Sequence, residues 1–200
     1  MYKLNLDFYQ REDILIISQD LLGKVLCTNI GGKLTSGIIV ETEAYAGIAD
    51  KASHAFGNRR TKRNETMYAS GGKAYVYLCY GIHHLFNIVT NKENIPHAVL
   101  IRAIQPRDGI EIMLQRRNKK KIDHTLTSGP GSLTRALGIT VKNSGTFLMD
   151  NLIWLEDQNI NYTNQDILSS PRVGVQYAGK DAQKPWRFQI VNNPWVSLAS

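Results

Sequence analysis

Glu41, Glu43 and Tyr45 stand two residues apart, just behind the β-branched run Ile38-Ile39-Val40. Such a run reads as a buried strand. Side chains alternate across a strand, so these three project from one face and Thr42 and Ala44 from the other. A carboxylate at the end of a buried strand is a natural general base for a water molecule. Solvation or pairing with Arg is the commoner fate of such a residue. The ring beside it tips the balance toward chemistry.

Other residues could join it. Arg102 lies among Leu100, Ile101, Ala103 and Ile104 in an apolar stretch read as a strand over 97–104. A buried Arg needs a partner, and a carboxylate such as Glu43 is the obvious kind. Residues 75–90 read as two strands joined by a tight turn near Tyr80-Gly81, with Tyr75 and Tyr77 on one face. Tyr80 sits at the turn, where a large aromatic has no core to enter. In a basic protein it is a candidate wedge that replaces an extruded nucleotide. His54 lies in a long basic loop, and a lone His is more often structural than catalytic. His83-His84 is no metal pair, since adjacent strand residues face opposite ways and no carboxylate or Cys stands at ligand spacing.

The elements that must position these groups are legible in outline. Ile14, Ile17 and Leu21 mark one face of a helix over 12–22, stopped by Gly23. A strand over 24–28 turns at Gly31-Gly32 and returns as the strand that carries Glu43. Residues 46–72 keep no periodicity and carry Lys51, Arg59, Arg60, Lys62 and Arg63, so they read as a phosphate-contacting loop. Asp108 and Glu111 resemble a capping box for a helix ending near Arg117. Ser128-Gly129-Pro130-Gly131 opens a short helix stopped by Gly138, and its backbone N–H groups could meet an anion. Strands are expected over 153–156, 172–175 and 187–191. The absence of repeats and linkers points to one domain over 1–200.

Composition narrows the partners. Lys and Arg outnumber Asp and Glu by 24 to 17 in 200 residues, a net charge of +7. That balance favours a polyanion, with nucleic acid first and a membrane surface a weak second. Cys27 and Cys79 lie in apolar runs and read as buried free thiols of a reducing compartment. No apolar leader and no spanning segment is seen, which implies a cytoplasmic protein.

The residues at Glu41–Tyr45, Ser53-His54, Thr61–Asn64, Tyr75–Tyr77, Tyr80-Gly81, Asn87, Leu100–Ala103, Ser128–Pro130, Arg172–Val175, Lys184–Phe188 and Pro194–Ser197 occur in an order that resembles the alkyladenine (3-methyladenine) DNA glycosylase family. The likeness spans nearly the whole chain and suggests a bacterial-type member. It implies an α+β (mixed α/β) domain with a curved antiparallel sheet, flanking helices and a protruding hairpin. It implies a monofunctional enzyme of base excision repair, needing no metal or cofactor. Such an enzyme flips alkylated or deaminated purines (3-methyladenine, 7-methylguanine, hypoxanthine, ethenoadenine) out of double-stranded DNA and hydrolyses the glycosidic bond. A monomer at the nucleoid is the expected setting.

By the same resemblance Glu43 activates the water, Arg102 helps to hold it, and the backbone carbonyl of Val173 completes its site. Tyr45 stacks on one face of the base, with His54 and Tyr77 on the other, and Asn87 rejects normal guanine. Tyr80 is the wedge. Ile82, Met67, Arg59, Thr61, Arg63, Ser128 and Gly129 fall where the family contacts DNA. Glu41 has no catalytic role there and is expected to pair with a basic residue. Two rivals stand beside this reading: a non-catalytic nucleic-acid-binding module and a hydrolase of free nucleosides. The first leaves Glu43 beside Tyr45 unexplained, and the second leaves Tyr80 and the basic loops unexplained.

Overall fold

The computed structural model describes residues 2–198. Among these residues nine strands form one antiparallel sheet: β1 (Tyr2–Lys3), β2 (Val25–Ile30), β3 (Lys33–Tyr45), β4 (Ala74–Cys79), β5 (His83–Thr90), β6 (His97–Pro106), β7 (Ile153–Asp157), β8 (Ile167–Ser170) and β9 (Arg187–Ile190). Four helices flank it: α1 (Leu6–Tyr9), α2 (Ile14–Asp20), α3 (Ile110–Arg117) and α4 (Pro130–Leu137). The architecture is α+β, with the sheet curled into a half-barrel.

The strand order is β1-β7-β2-β3-β6-β5-β4, and β9 pairs with β3 while β8 pairs with β9. Strand β3 is the hub. Its first half pairs with β2 from Lys33 to Ile38, after a turn in which Gly31 and Gly32 take φ of 66° and 71°. Only residues tolerant of positive φ make that two-residue turn without strain. Along its other edge β3 pairs with β6, and this ladder shifts register between Ile39 and Glu41 and again between Glu41 and Thr42. A bulge bends a strand and re-aims its side chains. At the bulge β3 exchanges β2 for β9, which pairs with Glu41, Thr42 and Glu43. The two glutamates therefore sit where the sheet branches, with a strand on each side.

Several expectations need correction. Helix α2 begins later than read, because Asp13 caps it by accepting from the N–H groups of Leu15 and Ile16. The capping box at Asp108 is absent. Gly109, at φ 69°, is the N-cap of α3, and the Asp108 carboxylate instead accepts from the Ser36 hydroxyl at 2.5 Å. Residues 172–175 form a turn rather than a strand. Burial of the Arg172 head group takes the chain away from the sheet there. Cys27 is buried, but Cys79 is only half-buried.

Helix α2 packs against β3 and β6. Its buried Ile14 and Ile17 join Ile39, Val40, Phe86, Ile88, Ile101 and Ile104 in the main core. A smaller cluster of Ala55, Met67, Tyr68, Tyr75, Val89 and Ala98 anchors the long loop between β3 and β4. That loop is ordered as three short 3₁₀ turns at Gly47–Ala49, Phe56–Asn58 and Glu65–Tyr68.

Candidate active site

Glu43 is wholly buried, yet its neighbours open onto a cavity. Its Oε1 accepts from the Val173 backbone N–H at 2.8 Å and lies 3.3 Å from Nη1 of Arg102. Its Oε2 accepts from the Tyr45 hydroxyl at 2.8 Å. A carboxylate offers about four lone-pair sites, so Oε2 keeps one free. Tyr45, Arg102 and Val173 all line a cavity of about 410 Å³, and Glu43, itself outside the lining, contacts all three.

Glu41 has a different environment. Its Oε1 accepts from Nε of Arg102 at 2.7 Å, Nε of Arg187 at 2.7 Å and the Ser197 hydroxyl at 2.9 Å. Its Oε2 accepts from the Ser197 N–H at 2.7 Å. Four donors hold this carboxylate, three of them on Oε1, and the side chain is wholly buried. The carboxylate expected for Arg102 thus turns out to be two, with Glu41 the closer. Glu41 ties β3 to β6, β9 and the C-terminal segment.

Aromatic rings make the cavity walls. His54 and Tyr77 stand 4.6 Å apart between centroids, and Nδ1 of His54 is 2.8 Å from the Tyr75 hydroxyl. Tyr75 and Tyr77 are 5.6 Å apart. Burial, with Glu43 next in size, pushes the Tyr45 hydroxyl well above its usual pKa, and burial does the same at Tyr77. Both therefore stay neutral and present uncharged rings. Asn87 is buried in the wall, its amide nitrogen donating to the Tyr75 carbonyl at 3.2 Å.

Burial, reinforced by Arg63 and Arg59, pushes the His54 pKa from 6.5 down to about 4. The ring is therefore neutral at neutral pH. Between pH 6.5 and 4 the unfolded chain takes up a proton that the folded one refuses, so stability falls as pH drops through that window. Burial lowers the His97 pKa and adds the same sign. Urea midpoints are expected to decline from pH 7 to pH 5, and His54→Asn should make that decline shallower.

The turn that supplies Val173 is held by a pair the sequence reading missed. Arg172 makes two ion contacts with Asp50, Nη1 to Oδ2 at 2.5 Å and Nη2 to Oδ1 at 2.8 Å, with both side chains fully buried. Nη1 also donates to the Ala44 carbonyl. The guanidinium lies 4.8 Å from the Tyr45 ring centroid and 5.0 Å from that of Trp186. It fixes at once the Val173 N–H that meets Glu43 and the ring of Tyr45. The one available signal was an acid in the loop after β3 and a base before the Val173 turn.

The residues expected at a DNA surface divide. Tyr80 and Ile82 are 87% and 74% exposed at the β4–β5 turn, where Tyr80 takes φ 49° and Gly81 φ 72°. Tyr80 also reaches the cavity lining, as do Arg63 and Met67. Arg59, Thr61 and Arg63 are exposed, and Arg63 packs over the Tyr77 ring at 5.6 Å. Ser128 and Gly129 are half-buried, with Ser128 bridging to Ala103. Met67 is buried, so it is part of the wall instead of the outer surface. Among the described residues no group of three His, Cys, Asp or Glu is arranged to hold a metal, and no helix is long and apolar enough to cross a membrane.

Residues 7–194 match the family model described as methylpurine-DNA glycosylase. A Chlamydia felis protein named "Putative 3-methyladenine DNA glycosylase" is 48% identical over 184 residues, covering 92% of this chain and 93% of its own length. Proteins of the same name from Bacillus cereus (strain G9842) and Desulfitobacterium hafniense are 45% and 43% identical, covering 95% and 99% of this chain and 96% and 100% of their own lengths. With a family model matched over residues 7–194 and these relatives 43–48% identical along nearly the whole chain, the chain belongs to the methylpurine-DNA glycosylase family.

Proposed function

We propose that the protein is a monofunctional DNA glycosylase of base excision repair, acting as a cytoplasmic monomer on damaged purines in duplex DNA. One observation carries the reading: Glu43, with a single free lone pair, lies under a ring-lined cavity of about 410 Å³, room enough for a purine.

Extruding a base from the stack costs a few kcal/mol, least for a damaged or mismatched one. Tyr80, unsupported by any core, fills the gap left in the duplex, with Ile82 beside it. Arg59, Thr61, Arg63, Ser128 and Gly129 grip the phosphates without reading sequence. The extruded purine lies between Tyr45 and the pair His54 and Tyr77. A 3- or 7-alkylated purine is cationic and gains roughly 0.5–2 kcal/mol from each ring it meets. A neutral His54 suits this cargo, since an imidazolium would repel it. Asn87 limits the room for the exocyclic amine of normal guanine.

As the glycosidic bond breaks, its electron pair leaves with the base and positive charge builds on the sugar. Glu43 stabilises that charge and takes the proton of the attacking water at Oε2. Arg102 and the Val173 backbone hold carboxylate and water in line. The products are the free base and an abasic site. No amine attacks the sugar, so no strand break follows.

Duplexes carrying one 3-methyladenine, 7-methylguanine, hypoxanthine or ethenoadenine test this directly. Release of free base with an intact, alkali-labile strand is the expected result. Binding without release would favour a non-catalytic DNA-binding module. Equal cleavage of the free nucleoside would favour a nucleosidase. Tyr80→Ala should slow excision from duplex at least several-fold more than from single strands, because only the duplex leaves a gap to fill. Equal loss on both substrates would remove the wedge role.

A further inference from the structure

A second cavity of about 260 Å³ adjoins the first and shares His54, Arg63 and Tyr177 with it. Lys51, Phe56 and Arg59 also line it. Two of its rings are open to solvent, with Phe56 45% and Tyr177 71% exposed. The Tyr177 hydroxyl donates to the Ala52 carbonyl at 3.2 Å, which stations the ring on the boundary between the cavities. Phe56 is held out by a tight turn in which Gly57 and Asn58 both take φ 63°.

The charges follow a pattern. Arg60 does not line this cavity, and it is neutralised by Glu65 at 2.5 Å and packs on Tyr68 at 4.7 Å. Among the described residues, Lys51, Arg59 and Arg63 have no carboxylate within ion-pair distance. Arg63 has only neutral company, the Leu78 carbonyl at 3.1 Å and the Tyr77 ring. Exposed rings beside uncompensated cations are the chemistry of single-stranded nucleic acid: a face for a base and charge for its phosphate.

We propose that this second cavity is a subsite for the nucleotide next to the flipped one when that neighbour is unpaired. Its base lies against Tyr177 and Phe56, and its phosphodiester meets Lys51, Arg59 and Arg63. In a duplex the neighbour remains stacked and paired, so only its phosphate reaches the site. Tyr80 thus serves duplex substrates, and Phe56 and Tyr177 serve single strands. The inference rests on the proposed function, because it places the flipped base in the larger cavity.

The test compares Phe56→Ala, Tyr177→Ala and Tyr177→Phe on one ethenoadenine oligonucleotide, single-stranded or annealed to its complement. Binding is read by fluorescence anisotropy and excision by single-turnover release of base. Each Ala substitution should weaken single-strand binding and excision about fivefold or more. Phe56→Ala, which lies outside the larger cavity, should change duplex values less than about twofold, and Tyr177→Phe, which keeps the ring, should lose less on the single strand than Tyr177→Ala. Equal losses on the two substrates, or no loss on the single strand, would overturn the subsite. Activity on the duplex in the same preparation reports folding. If the wild-type protein released no base from either substrate, the catalytic reading would fail, and anisotropy would still decide the subsite.

Discussion

Replacing Glu43 with Gln is expected to cut single-turnover excision by roughly 10²–10⁴-fold, the usual worth of a positioned general base. Binding of lesion-bearing DNA should change little. The amide keeps the shape of the side chain. It can accept from the Val173 N–H at the position of Oε1, and it can donate to the Tyr45 oxygen at the position of Oε2. Arg102 loses one carboxylate but keeps Glu41 at 2.7 Å, so the fold survives. What disappears is the acceptor for a proton and the charge opposite the sugar cation. Parallel rate and anisotropy measurements separate the two effects. A variant that binds poorly but cleaves what it binds at the normal rate would remove Glu43 from the chemistry.

Two residues away the expected outcome is the opposite. Glu41→Ala strips the shared carboxylate from Arg102 and Arg187 and the acceptor from Ser197. Breaking a buried pair by removing one partner costs about 3–5 kcal/mol, because the other charge stays buried without compensation. Here two guanidiniums are left together. Whole domains are held by only about 5–15 kcal/mol, so the variant should melt far below wild type or collect in the insoluble fraction. Thermal melts read this without any substrate. A Glu41→Ala protein as stable as wild type but inactive would move the chemistry from Glu43 to Glu41.

The contrast between the two glutamates shows what the sequence could and could not carry. Their common face follows from the strand period, a local rule, and the structure agrees. The pairing of Arg102 with Glu43 is present at 3.3 Å, and Glu41 adds a second, closer carboxylate at 2.7 Å that a buried Arg alone does not announce. Arg187 and Ser197 lie 146 and 156 residues from Glu41, and no periodic signal links them. The pair of Asp50 and Arg172 is likewise 122 residues apart. The strand expected at 172–175 failed for that reason: a long-range ion pair overrode local β propensity. The capping box at Asp108 failed because Gly109 adopted a left-handed turn and left the aspartate free to bond Ser36. Tyr80 was legible because a large ring at a turn flanked by strands has nowhere else to go.

In the proposed reaction a damaged purine leaves the helix and comes to rest above Glu43. A crystal structure of the Glu43→Gln protein on a duplex holding one ethenoadenine tests it most directly. The base should lie between Tyr45 and the His54–Tyr77 pair, with Tyr80 in the vacated stack and an ordered water between side chain 43 and C1′ of the sugar. A lesion still stacked in the helix, or lodged where side chain 43 cannot reach that carbon through one water, would contradict it.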